Sequence, residues 1–250
     1  MSGKVLIEVE DHIGIVTIFR PEKHNAFDQS IRVGLADALE ALASARDVRA
    51  IVITGHGKHF SVGGDIAAFV EPAGEELDAI LDAAHRCIRA VRYADKPVIA
   101  AVEGAAAGGA AGLILACDAI VVARDAKIAF PFLKIGLVPD WGCVPLLRAK
   151  VGEGAAKKLL LSAAAISAEQ AIDIGVADEL AESGATLSKA RQLAQTWASF
   201  PGMAWQRTKA MINAEAATLD EALVLESEHQ AACFHSKAFK TALQKFLIKE

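Results

Sequence analysis

Aromatic residues are scarce, at 6% of 250 positions, and the four cysteines, Cys87, Cys117, Cys143 and Cys233, lie too far apart to form any CxxC pair. That spacing argues against a zinc site and against a disulfide framework, and scattered thiols fit a reducing compartment. Positive charge is also short. The chain has 26 Lys and Arg against 31 Asp and Glu, a net charge of −5. An acidic chain has no overall attraction for phosphate backbones, so nucleic-acid binding is not expected. No long uncharged run is present. Residues 98–123 are the most apolar stretch, but Glu103 and Asp118 interrupt it. What remains is shorter than the ~20 residues a spanning helix needs, so no membrane association is expected. The opening MSGKVLIEVEDHIG carries acids and no apolar signal core, which predicts a cytoplasmic protein. The phosphate-cradling patterns GxGxxG and GxxxxGK[ST] are absent, and no cofactor or metal is expected.

What is present is apolar and small. Apolar residues make up 53% of the chain, and mean hydropathy is +0.33, enough for a large core. Apolar runs at residues 5–10 and 13–19 predict a hairpin, and runs at 48–54, 97–102 and 119–123 predict buried strands. Three- and four-residue apolar spacing predicts helices over 31–45, with Asp28 or Ser30 as N-cap, and over 75–93. The second has a stripe of Leu77, Ile80, Leu81, Ala84, Ile88 and Val91. Further helices are expected over 110–116, 155–161, 168–174 (capped by Ser167), 186–199, 203–217 and 221–249, the last broken near 235–236. Strands and helices alternate early and helices alone follow, which predicts an α/β core with a helical tail. Two glycine turns, residues 61–65 (SVGGD) and 107–110 (AGGA), each follow a β-run and precede a helix. Brought together, they aim two backbone N–H groups at one oxygen, as in an oxyanion hole. Taken singly, each is better explained by tight packing.

In combination, these segments resemble the crotonase (enoyl-CoA hydratase/isomerase) superfamily. The resemblance runs through RPEKHNAF at 20–27, IVITGHGKHFSVGGDI at 51–66, KPVIAAVEGAAAGGAAGLILACD at 96–118 and KIGLVPDWG at 134–142. It continues in SAEQAIDIGVAD at 167–178 and AFKTALQKFLIK at 238–249. It implies a ββα spiral core, here residues 1–195, and a helical C-terminal trimerisation region, residues 196–250. It also implies a homotrimer or hexamer, and an acyl-CoA thioester as substrate, coenzyme A being part of that substrate. The thioester oxygen would lie between the amides of Gly64 and Gly109. Lys58, Phe246 and Lys249 match positions that reach CoA. Val62, Asp65 and Ile66 belong to the loop that holds it, and Arg20 and Lys23 are lesser candidates for the cationic rim.

The departures from the family pattern bear on the reaction. Hydratases of the family carry two glutamates, and their positions here hold Gly112 and Phe132. Adding water by that route takes one group to activate it and one to supply a proton, so a standard hydratase is not expected. Asp140 stands where several branches carry a catalytic Asp, and its surroundings resemble enoyl-CoA isomerases of the phenylacetate-degradation type. There one carboxylate shifts a double bond by moving one proton. Phe132 and Trp141 would line the acyl pocket beside it and raise its pKa. His85 and Asp140 together also resemble 4-chlorobenzoyl-CoA dehalogenases, in which the Asp attacks carbon and the His activates water. The same two residues fit acyl-CoA hydrolysis as well, and the loss of both glutamates fits a catalytically silent acyl-CoA binder. Glu103 and Asp118, set in apolar stretches, are expected to be structural and partnered.

Overall fold

The computed structural model describes residues 2–68, 74–214, 216 and 218–247. The main sheet has six strands: β1 (Lys4–Glu10), β2 (Ile13–Phe19), β3 (Ala50–Gly55), β4 (Val98–Val102), β6 (Ala119–Ala123) and β9 (Glu179–Ala181), in the order β1-β2-β3-β4-β6-β9. Within it only β1 and β2 are antiparallel; the rest are parallel. A second sheet joins β5 (Ala105–Ala107), β7 (Lys127–Ala129) and β8 (Ala165–Ser167). The helices are α1 (Gln29–Ser44), α2 (Gly74–Arg92), α3 (Gly109–Ala116), α4 (Cys143–Ser162), α5 (Ala168–Asp173), α6 (Thr186–Ala198), α7 (Gly202–Asn213), α8 (Leu219–Phe234) and α9 (Lys237–Leu247).

Parallel strands covered on both faces read as unbroken apolar runs, because successive side chains alternate between two buried layers. On one face Val16, Ile18, Ile51, Ile53, Val98, Ala100, Ile120 and Val122 join the core built with α1, α2 and α3. On the other, Ile13, Ile15, Val52, Ile99, Ala101 and Val121 pack against Ala190 and Ala194 of α6. The boundary expected after residue 195 therefore lies inside α6, a helix packed on the main sheet.

The chain winds as a repeat. A main-sheet strand is followed by a short strand of the second sheet and then a helix: β4-β5-α3, then β6-β7-α4. The β3-to-α2 segment follows the same path, with Ser61 bridging Ala106 of β5. This is the ββα spiral that the motifs imply. Asp28 caps α1 through its side chain, and Ser167 caps α5 in a capping box with Gln170. The short strand β5 leads directly into the second glycine turn at 107–110. One expectation needs correction. The helix expected over 155–161 is the second half of a longer α4, broken at Gly152 (φ 75°, ψ 168°). No helix among the described residues is long and apolar enough to cross a membrane.

Glu103 and Asp118 both have partners. Glu103 accepts hydrogen bonds from the amides of Gly184 and Thr186 and from Thr186 Oγ1 at the start of α6. Asp118 binds Lys209 of α7 at 2.7 Å and accepts the Val98 amide.

Candidate active site

The loop that carries Gly64 is fixed by side chains buried beneath it. Asn25, fully buried, donates from Nδ2 to the carbonyls of His56 and His59 and accepts the Arg20 amide on Oδ1. Ser61 Oγ donates to the Asn25 carbonyl at 2.7 Å and accepts the Gly63 amide at 3.0 Å. Phe27 then pairs with the loop as a strand would. Its N–H reaches the Gly63 carbonyl at 2.7 Å, and the Asp65 N–H reaches the Phe27 carbonyl at 3.1 Å. The amides on either side of Gly64 are thus held inside the protein. The Gly64 amide, on the alternate side, has no acceptor among the described residues and Gly64 lines a cleft.

Gly109 is the first residue of α3, where an amide has no intrahelical acceptor. The two turns meet through Ser61 N–H to Ala105 O (3.0 Å) and Ala107 N–H to Ser61 O (3.1 Å). The approach is close enough to require glycine at position 63. With φ at +87°, a Cβ there would fall 2.5 Å from Ala107 O and 3.4 Å from the Gly109 nitrogen.

Gly64 and Gly109 line a cleft of about 70 Å³ whose other walls include Val62, Ile66, Ile80, Phe132, Ile135, Leu137, Trp141 and Asp140. The expected pair of amides and the expected carboxylate therefore share one site. Asp140 follows Pro139 and precedes α4, and its Oδ1 is shut off from solvent with no hydrogen-bond partner. Burial raises its pKa to about 6. Its own backbone amide, then the charge of Arg32, then that of His85 act in the other direction. Water-poor surroundings destabilise the carboxylate and make it a stronger base near neutral pH.

Trp141 is 3% exposed and packs on Phe27, with ring centroids 5.1 Å apart. It fills the space beside both α3 glycines. A Cβ at Gly109 would fall 2.6 Å from its indole Nε1, and one at Gly112 would fall 2.5 Å from its Cβ and 2.6 Å from its carbonyl oxygen.

Other expected positions lie elsewhere. His85 is exposed on α2 and outside the cleft lining. Lys58 is exposed and lines a separate open depression with His59, Glu103 and Lys127. Phe246, on α9, is 70% exposed, and Lys249 lies outside the described residues. Of the α2 stripe, Ala84 and Val91 are buried but Leu77 is 43% exposed. Asp65 and Arg20 form an ion pair at 2.8 Å, with Arg20 Nε 3.5 Å from Asp28; Arg20 is thus turned inward, not out to a cationic rim. The pair ties the residue after Gly64 to the segment after β2. Arg20→Met is expected to leave two poorly solvated carboxylates behind and lower stability by about 3 kcal/mol, read from urea unfolding.

One cleft residue carries a signal that the motifs did not expose. Arg32 is 5% exposed and lines the cleft with Asp140. Its sequence mark is position: Arg32, Leu35, Ala36 and Leu39 share the apolar face of α1.

Comparison with known proteins identifies the family. Residues 8–250 match the family model described as enoyl-CoA hydratase/isomerase. The chain is 33% identical to a 1,2-epoxyphenylacetyl-CoA isomerase of Escherichia coli strain K12, across 100% of this chain and 97% of that protein. It is 30% identical to a crotonyl-CoA hydratase of Syntrophomonas wolfei, across 98% and 95% of the two chains. The crystal structure of an enoyl-CoA hydratase from Polaromonas sp. JS666 superposes with a TM-score of 0.94 at 32% identity, covering 99% of this chain and 98% of that one. Matches of this identity, running nearly the full length of both partners, make the chain a member of the enoyl-CoA hydratase/isomerase family.

Proposed function

We propose that this enzyme shifts a double bond along the acyl chain of an enoyl-CoA, using Asp140 alone as base and then acid. Asp140 takes a proton from the carbon next to the thioester of a 3-enoyl-CoA. The electron pair moves toward the carbonyl oxygen, giving a dienolate held by the amides of Gly64 and Gly109. Asp140 then returns the proton two carbons farther along, leaving a conjugated 2-enoyl-CoA. Donors already aimed in a dry site are worth roughly 3–4 kcal/mol each to such an oxyanion. No water is consumed, so one carboxylate suffices. The single observation carrying this reading is a cleft that joins both glycine amides to one carboxylate whose Oδ1 is shut off from solvent, with Gly112 and Phe132 where a hydratase of this family has glutamates.

A second reading has one observation in its favour. The charge of His85 is felt at Asp140, as an Asp–His pair for dehalogenation or hydrolysis would need. The exposure of His85 weighs against it. Assembly as a homotrimer or hexamer would cover the exposed apolar residues of α8 and α9, among them Leu219, Val224, Phe234 and Phe246.

The test is a panel of 3-enoyl-CoA, 2-enoyl-CoA and halogenated aryl-CoA esters, analysed for products. Conversion of 3-enoyl to 2-enoyl ester without release of thiol or halide is expected, and His85→Ala is expected to keep this rate within about threefold. Halide or free thiol, lost in His85→Ala, would establish the second reading. Tight binding without conversion of any ester would leave a silent binder.

A further inference from the structure

Arg32 stands in a place that helix stability does not favour. It is the fourth residue of α1, near the positive end of the helix dipole, where a cation is unfavourable. Its guanidinium is almost completely removed from water on a face otherwise made of Ile31, Leu35, Ala36 and Leu39. Burying such a group costs several kcal/mol unless opposite charge stands nearby. Arg32 and Asp140 are the two charged side chains among the described residues lining the cleft, and the remainder are glycine or apolar.

We propose that Arg32 is a positioning residue for the reaction, whose charge holds Asp140 in the carboxylate form that takes the first proton. This rests on the reading of Asp140 as the base. Several groups face Asp140. Arg32 comes from α1, His85 from α2 at an exposed position, and Cys143 from the first turn of α4, while α3 lines the cleft beside Asp140 with Gly109. Asp28 and Asp65 also act on Arg32, after Asp140. Among the described residues, the side-chain charge acting most strongly on Asp140 is that of Arg32, and it opposes the effect of burial. Without it, a buried carboxyl would remain protonated and inactive at higher pH.

The experiment compares Arg32→Gln, Arg32→Met and Arg32→Lys with the natural protein in two ways. One is the pH dependence of kcat/KM for 3-enoyl-CoA. The other is titration of the Asp140 carboxyl in the ligand-free protein by infrared difference spectroscopy, with the band assigned by its loss in Asp140→Asn. In either neutral variant the acid limb and the carboxyl midpoint are expected to move up by about one pH unit. Activity would then fall about fivefold at pH 6 and recover at pH 9. Arg32→Lys should restore the original midpoint. Either neutral variant suffices if the other does not fold. A uniform loss at every pH with an unmoved carboxyl midpoint would overturn the proposal in favour of a packing role. A rise in KM with an unmoved midpoint would overturn it in favour of a substrate contact. Because the infrared titration needs no turnover, it tests Arg32 even if no ester is isomerised, an outcome that would refute only the proposed reaction.

Discussion

Asp140→Asn is expected to abolish isomerisation while making the folded protein more stable at neutral pH. One group serves as base in the first half-reaction and as acid in the second, so its loss removes both proton transfers. A rate loss of at least ~10³-fold in kcat is expected, with acyl-CoA affinity little changed. The stability gain follows from linkage. The pKa of Asp140 lies at about 6 in the folded chain against 3.8 for an unperturbed Asp. A carboxyl whose pKa is raised by folding favours the folded state while protonated, and that contribution fades as pH climbs from about 4 through about 6. Above this range the ionised side chain opposes folding by up to about 3 kcal/mol. Asparagine has nearly the same shape and no charge. Its melting temperature should exceed that of the natural protein at pH 8, and the difference should close near pH 4. The same titration governs catalysis, and kcat/KM of the natural enzyme should fall as pH drops below about 6. Full activity in the Asn variant would remove Asp140 from the mechanism.

Introducing a glutamate at position 112 is expected to damage the protein without producing a hydratase. A Cβ there meets Trp141 at Cβ and, more seriously, at its carbonyl oxygen. Backbone cannot swing aside as a side-chain end can. Gly112→Ala alone should cost about 3 kcal/mol, and Gly112→Glu more, both read as lower urea midpoints. Truncating Trp141 to alanine in the same chain would remove the indole but neither the Cβ nor the carbonyl oxygen that the added carbon meets, so the double variant should recover no stability. Hydration of 2-enoyl-CoA by Gly112→Glu, with a normal urea midpoint, would contradict this expectation. Glycine at position 112 and the path of the Asp140–Gly142 turn are therefore coupled, since Trp141 (φ 50°) and Gly142 (φ 66°) carry that turn against α3.

Much of the fold is legible in the chain because its signals are long. The β3, β4 and β6 runs are apolar without alternation, which is how strands buried on two faces read. Asp28 and Ser167 announce their helices by residue type. The strands β7, β8 and β9 have three residues each, too few to show a period. The first half of α4 is hidden by Pro145 in its first turn and by Gly152 and Gly154, residues that more often end a helix than continue one. The site divides in the same manner. Gly64, Gly109 and Asp140 lie in contiguous motifs, so the resemblance locates them. Arg32 lies outside any motif, and only its place on an apolar helix face marks it. The inward turn of Arg20 depends on Asp65, 45 positions away, a pairing no local pattern encodes.

The backbone clamp around Gly64 has an evolutionary corollary. The proposed oxyanion donors are peptide groups, fixed by a pairing with Phe27 on one side and by a helix start on the other. Exchanging a side chain that leaves this course of the chain intact cannot delete them. The acid–base function has no such protection, since a point mutation creates or erases a carboxylate. A lineage built on this scaffold can therefore lose or relocate its proton carrier and still grip the same carbonyl, so that new reactivities start from a retained hold on the substrate.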